Sequence, residues 1–173
     1  AANNLAPTAR DGGLTVSRRM TMATQISTDN EFIAALGDFD VDNAVIELTA
    51  NIVLTKTINI YGKTGVVING NNFKVDGGGD VVCFWVNNGA EVTFNDLTIT
   101  NCDGGVKIGD FTKRSNLDST ATFTSCPFTS NHARGGKGNN APNGVTSPNG
   151  GAVSIEDSST ATFTSCPFTF NKA

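Results

Sequence analysis

A chain of 173 residues with a net charge of −4, of which only 16% are charged where an average domain carries about a quarter, is sized for one domain and excludes long charged helices and coiled coils. Its pI of about 4.8 gives no electrostatic reason for nucleic acid or an anionic lipid surface as a partner. With 22 Thr, 20 Asn, 19 Gly and 5 Pro, the composition suits short strands joined by many turns.

Residues 1–26 carry Arg10, Arg18 and Arg19 against the single acid Asp11 and show no apolar periodicity, so they read as an extended arm or the remnant of a processed leader. No apolar run approaches the roughly 18 residues of a membrane-spanning helix, and no direct membrane insertion is expected. Residues 27–37 predict one short helix. Thr28 is its N-cap, Glu31 three residues on completes a capping box, Phe32, Ile33 and Leu36 share a face, and Gly37 stops it. So short a helix needs something to lie on, and the open end of a β-structure is the simplest support.

Residues 45–173 switch to short alternating apolar pairs separated by Gly, Asn and Asp, the pattern of strands recurring in cycles of three. The inward pairs are Ile46/Leu48, Ile52/Leu54 and Ile58/Ile60, then Val66/Ile68, Phe73/Val75 and Val82/Phe84, then Val92/Phe94, Leu97/Ile99 and Val106/Ile108. They continue through Ala121/Phe123, Cys126/Phe128, Val153/Ile155, Ala161/Phe163 and Cys166/Phe168. On the first face Ile46, Ile68, Phe94, Phe123 and Phe163 are spaced by 22, 26, 29 and 40 residues. Near the end the repeat is literal: STATFTSCPFT stands at Ser119–Thr129 and again at Ser159–Thr169. A unit that cannot bury its apolar side alone must stack on its neighbours, so the expected fold is an all-β parallel solenoid of about five coils behind a capping helix. Residues 109–118 and 135–150 are insertions, the first carrying Asp110, Lys113, Arg114 and Asp118, the second rich in turn residues.

The segments VINGNNFKVDG (Val67–Gly77) and VCFWVNNGAEVTFNDLTITNC (Val82–Cys102) resemble the right-handed parallel β-helices of the pectate-lyase-like superfamily, especially the non-catalytic repeats of surface proteins. The downstream half is similar to the repeats of polymorphic outer-membrane proteins, with their GGA[IVL] and FxxN motifs. Here GGAV is Gly150, Gly151, Ala152 and Val153, a shorter GGV is Gly104, Gly105 and Val106, and FxxN runs from Phe128 to Asn131 and from Phe168 to Asn171. Glycine pairs permit a positive-φ turn before an inward valine, and the asparagine can bond to its equivalent one coil away. The resemblance implies the fold strongly and the role weakly.

Lyase or hydrolase chemistry needs a carboxylate pair or a calcium cluster beside a base. Asp76, Asp80, Asp96, Asp103 and Asp110, with Lys107 and Arg114, are the candidates, but most fall in turns where Asp serves the backbone. Gly77–Asp80 is not the repeated calcium-binding nonapeptide, and the lone His132 has no catalytic or metal-binding partner in sight, so no catalytic, cofactor or metal residue is assigned. Cys126 and Cys166 should stack inward, as a disulfide or, better, as small buried thiols. Cys83 and Cys102 are the more exposed candidates for pairing. Trp85 should face outward and exposed, as a partner anchor or under a loop.

Outward threonines form columns: Thr93, Thr122 and Thr162; Thr124 and Thr164 after Asn95; Thr100, Thr129 and Thr169. Such a surface suits a protein partner, a polysaccharide or an ice lattice, although Thr is favoured on strands anyway and Pro127 and Pro167 break its regularity. None of the asparagines lies in an Asn-x-Ser/Thr acceptor sequence, which fits a bacterial chain or an organelle lumen. The expected role is a non-catalytic structural or interaction module, adhesin-like or a subunit of a larger assembly, placed outside the cytoplasm or in a lumen. The alternatives are a polysaccharide-binding or lyase-like β-helix and an ice-binding surface. The last coil is expected to be covered by further coils, by another copy or by a protein partner, because an open sheet edge is seldom left bare.

Overall fold

Strands of two to five residues cannot form a sheet by folding back on themselves when every inward pair is apolar on the same side; they bury those pairs by coiling. The computed structural model describes residues 23–37, 42–109, 117–133, 151–156 and 158–173. It begins with β1 (Thr24–Ile26) and α1 (Asp29–Gly37), followed by a first coil of β2 (Val45–Leu48), β3 (Ile52–Val53) and β4 (Ile58–Tyr61). The second is β5 (Val66–Asn69), β6 (Lys74–Asp76) and β7 (Phe84–Asn87), and the third β8 (Glu91–Asn95), β9 (Thr98–Thr100) and β10 (Val106–Ile108). The fourth is β11 (Thr120–Thr124), β12 (Phe128–Thr129) and β13 (Val153–Ile155), after which come β14 (Thr160–Thr164) and β15 (Phe168–Thr169). Three parallel sheets result, in the orders β1-β2-β5-β8-β11-β14, β4-β7-β10-β13 and β3-β6-β9-β12-β15. The protein is thus an all-β parallel solenoid of four complete coils and two strands of the next, with a single short helix among the described residues.

The register follows the apolar pattern. Ile46 lies against Ile68, Ile68 against Phe94, Phe94 against Phe123 and Phe123 against Phe163, so the growing spacing along the chain is absorbed in the turns. The expected inward pairs depart at two places, the first being the last strands, where Ile155, Phe163 and Phe168 are 46%, 36% and 47% exposed. On the second coil the inward residues are Phe84 and Val86, paired with Ile58 and Ile60, and Val82 is only half-buried. Cys83 takes the buried corner, its N–H donating to the Gly105 carbonyl at 2.9 Å, and this moves the strand's inward set on by two residues. The N-terminal strand β1 lies within the stretch read from the sequence as an arm; it pairs with β2 and adds a rung to the first sheet. Residues 1–22, including Arg10, Arg18 and Arg19, lie outside the described residues, as do residues 110–116 and 134–150 of the two insertions.

The core fills the lumen. Aliphatic side chains fill the first coil, Phe84 joins them in the second, and phenylalanines form stacks beyond: Phe94, Phe123 and Phe163 stack with centroids 4.8 and 5.0 Å apart, and Phe128 stacks on Phe168 at 4.8 Å. At the opposite end α1 closes the lumen. Its Phe32 and Leu36 are buried, and the Phe32 ring meets Phe84 edge-on at 5.8 Å. The capping box forms as the sequence predicts: Glu31 Oε2 accepts from the Ser27 and Thr28 N–H groups at 2.7 and 3.1 Å, and the Glu31 N–H donates to Thr28 Oγ1 at 3.3 Å. These bonds, that from the Ser27 N–H foremost, hold the Glu31 carboxyl below its ordinary value. Asp29 accepts from the Thr55 N–H and hydroxyl, tying the helix to the turn between β3 and β4.

Candidate interaction surface

Three corners of the solenoid carry side chains that reach to the coil before. Asn131, fully buried, accepts from the Cys102 N–H through Oδ1 at 3.0 Å and donates through Nδ2 to the Ile99 carbonyl at 3.0 Å. Asn171 repeats this one coil on: its Oδ1 accepts from the Asn131 N–H, and its Nδ2 donates to the Phe128 carbonyl at 2.9 Å. Asn131 Nδ2 also donates to Asn171 Oδ1, the asparagine-to-asparagine bond expected of the FxxN motif. Ser159 Oγ accepts from the Ser119 N–H, and Ser119 Oγ from the Gly89 N–H. Cys166 Sγ accepts from the Cys126 N–H at 3.4 Å. The residues that the duplicated sequence retains are therefore those that stitch one coil to the last.

The positive φ that these corners need is carried by the residue before Cys102, Asn131 and Asn171: Asn101, Ser130 and Phe170 at 52°, 55° and 56°. Gly104 and Gly105 have φ of 88° and 56° ahead of Val106, and a Cβ on Gly105 would overlap the Ala152 carbonyl. Gly151 serves closeness, since a Cβ there would strike the Lys172 backbone; Gly150 lies outside the described residues.

The cysteines divide as two kinds. Cys83 and Cys102 form a disulfide, as the pairing expectation had it, but both are buried (0% and 1% exposed) rather than exposed, because each occupies an inward corner. Cys126 and Cys166 are thiols, the first buried and the second half-buried. Burial pushes the Cys126 thiol up from 9.0 to about 11.

On the outer faces, residues in register form columns. Glu47, Asn69, Asn95, Thr124 and Thr164 make one, in which Asn69 Nδ2 donates to Glu47 Oε1 at 2.7 Å and Asn95 Nδ2 to Asn69 Oδ1 at 2.9 Å. Sequence reading missed this ladder, whose signal was the shared offset of the asparagines. Thr93, Thr122 and Thr162 continue a column begun by Val45 and Val67, so in-register threonine triplets span β11 and β14 alone: Thr120, Thr122 and Thr124 beside Thr160, Thr162 and Thr164. Thr129 Oγ1 donates to Thr100 Oγ1 at 3.0 Å, with Thr169 next in the column. On the remaining face Asn59, Trp85, Lys107 and Ser154 align. Trp85 does face outward but is half-buried, its Nε1–H donating to the Gly109 carbonyl at 3.0 Å. Tyr61, half exposed and not singled out from sequence, stands on the same face beside a cleft of about 290 Å³ lined by Ile33, Leu36, Lys56 and Asn59.

Asp76, Asp80 and Asp103 lie at the same corner of neighbouring coils, where the Asp103 N–H donates to the Val81 carbonyl at 2.9 Å. Asp76 Oδ1 accepts from the Gly78 N–H at 2.8 Å and Asn101 Nδ2 at 2.9 Å, the work of a turn. Asp96 sits in the corner from β8 to β9 with φ of 49°, Asp80 and Asp103 lie in the corners leading to β7 and β10, and Lys107 is in β10. Asp110 and Arg114 lie outside the described residues, and His132 is exposed, with its backbone bridged to Lys172. Among the described residues no group of three metal-ligating side chains comes together, and no helix is long and apolar enough to cross a membrane.

A family model described as "Putative pectate lyase-like adhesive domain" matches residues 23–133, well over half of the chain. No curated protein matches. No solved structure does either.

Proposed function

The chain belongs to this family of pectate lyase-like adhesive domains, and from that premise we propose that it is a non-catalytic adhesive module working outside the cytoplasm, where its outer faces engage a protein or polysaccharide partner. The observation that carries the reading is the set of long in-register polar columns on the outer faces, with Trp85 and Tyr61 beside them. A rigid repeating face suits adhesion because it offers many weak contacts at fixed spacing. The buried Cys83–Cys102 disulfide supports an oxidising compartment.

The test is retention of the immobilised chain on a panel of polysaccharides and surface proteins, with product release followed in parallel. The reading expects retention by at least one member, weakened in a Tyr61→Ala variant, and no product. Release of unsaturated oligosaccharides that stops in Asp96→Ala or Asp103→Ala would restore the lyase reading. The threonine triplets of β11 and β14 favour a second reading, an ice-binding surface; thermal hysteresis that survives Thr122→Tyr would sink it.

A further inference from the structure

The three sheets do not end level beside α1. The first is carried past β2 by β1, whereas β4 is the outermost strand of its sheet and pairs with β7 alone. The Ile58 N–H donates to the Cys83 carbonyl at 3.1 Å, and the Gly62 N–H to the Asn87 carbonyl at 3.0 Å. Alternate residues of a parallel ladder face the partner strand, so Ile58 and Ile60 turn their peptide groups to β7, and Thr57, Asn59 and Tyr61 turn theirs away from it. Among the described residues nothing takes the N–H and C=O groups of these three. What bounds the edge is α1, which packs against β4 and leaves the cleft of about 290 Å³ between the two elements.

The cleft has two unlike walls. One is the strand edge, with Thr57, Asn59 and Tyr61; the other is the flank of α1, with Ile33 and Leu36. A row of peptide groups repeating at about 3.3 Å, opposite an apolar wall, is matched by another extended chain. Such a chain returns a C=O and an N–H to each open residue and sets alternate side chains on the wall, a repeat that a sugar ring does not offer. Lys56, just ahead of the strand, is exposed, and its ammonium has no partner among the described residues, where no acid lines the cleft. An incoming segment with a carboxylate is therefore favoured. Residues 1–22 of this chain have the wrong sign, with Arg10, Arg18 and Arg19 against Asp11.

We propose that the edge of β4 beside α1 is a docking site for an extended acidic segment of a partner protein, which adds to the sheet as one further strand with alternate apolar side chains against Ile33 and Leu36. Strand addition of this kind takes affinity from main-chain bonds and specificity from alternate side chains. It goes beyond the reading of the outer faces, because it uses a sheet edge, and it stands whether those faces hold a polysaccharide or a protein.

The experiment adds the synthetic peptide Asp-Val-Thr-Val-Thr-Val-Asp to the full chain and follows amide hydrogen exchange. The expected result is saturable 1:1 binding in which the Asn59 and Tyr61 amides, fast in the free chain, gain about tenfold protection or more, while Ile58 and Ile60, already in the ladder, change little. Asn59→Pro removes a donor that the ladder to β7 does not use, at an edge position where proline is tolerated, and should abolish binding. Lys56→Glu, which leaves the backbone as it is, should weaken the acidic peptide about fivefold or more and favour one with Lys at both ends. No added protection at millimolar peptide overturns the proposal, as does binding that survives Asn59→Pro. Asn59 and Tyr61 amides as slow as Ile58 and Ile60 in the dilute free chain also overturn it, since the chain then covers its own edge; slowing with protein concentration alone would give the edge to a second copy instead. None of these results touches the retention and product-release test of the outer faces.

Discussion

Asn131 shows how much one side chain can carry in a solenoid. It is fully buried, and its amide satisfies a backbone donor and a backbone acceptor of the preceding coil while also bonding to Asn171. Asn131→Ala leaves the Cys102 N–H without its partner in the interior and takes one bond from the Ile99 carbonyl. A loss of about 1–3 kcal/mol is expected from the orphaned donor, read as a lower urea midpoint. Cys126 acts in the opposite sense, through what it does not do. Its raised value, 9.0 to about 11, means that the unfolded chain ionises this thiol before the folded one does. Stability should therefore be unaffected below pH 9 and fall between about pH 9 and 11. The Cys126→Ala variant should lack that part of the slope, and in the native protein at pH 8 thiol reagents should modify Cys126 far more slowly than Cys166. The ladder at Asn131 was legible in advance because the FxxN spacing put equivalent amides one coil apart. The burial of Cys83 was not, because Val82 and Phe84 offered an apolar pair that the pattern alone could not distinguish from Phe84 and Val86.

At the scale of elements, α1 is the piece whose removal should matter most. A helix of nine residues has little intrinsic stability, yet its cap residues hold its start and its Phe32 sits in the lumen against Phe84. Truncation of Phe32 to Ala should cost about 3–5 kcal/mol, as for a large aromatic lost from a closed core. Thermal unfolding would show the drop, and hydrogen exchange should locate the first openings in β1, β2 and β4. Both the helix and its docking site were readable from Thr28, Glu31 and the spacing of Phe32 and Leu36. The strand β1 was hidden, since three residues with one inward apolar position, Ile26, carry too little pattern to separate a rung from an extended tail. The acids were harder to read, because Asp is written into corners for its backbone chemistry, as Asp76 is in its own turn.

Across the whole molecule, stability is a sum of contacts between neighbouring coils, and the Cys83–Cys102 disulfide clamps the second coil to the third. Closing a loop of sequence separation 19 should contribute about 3 kcal/mol, so the double variant Cys83→Ala/Cys102→Ala should unfold that much more easily in urea. With both sulfurs buried, reductant should act on the native protein only as fast as it opens. The polarity of the stitching has a further consequence for how the molecule comes into being. The Ser, Cys and Asn side chains at these corners each reach back to complete the coil made before. A nascent chain leaving the ribosome can thus lock each turn as the next emerges, which gives the fold a growing end and lets synthesis set the order of assembly.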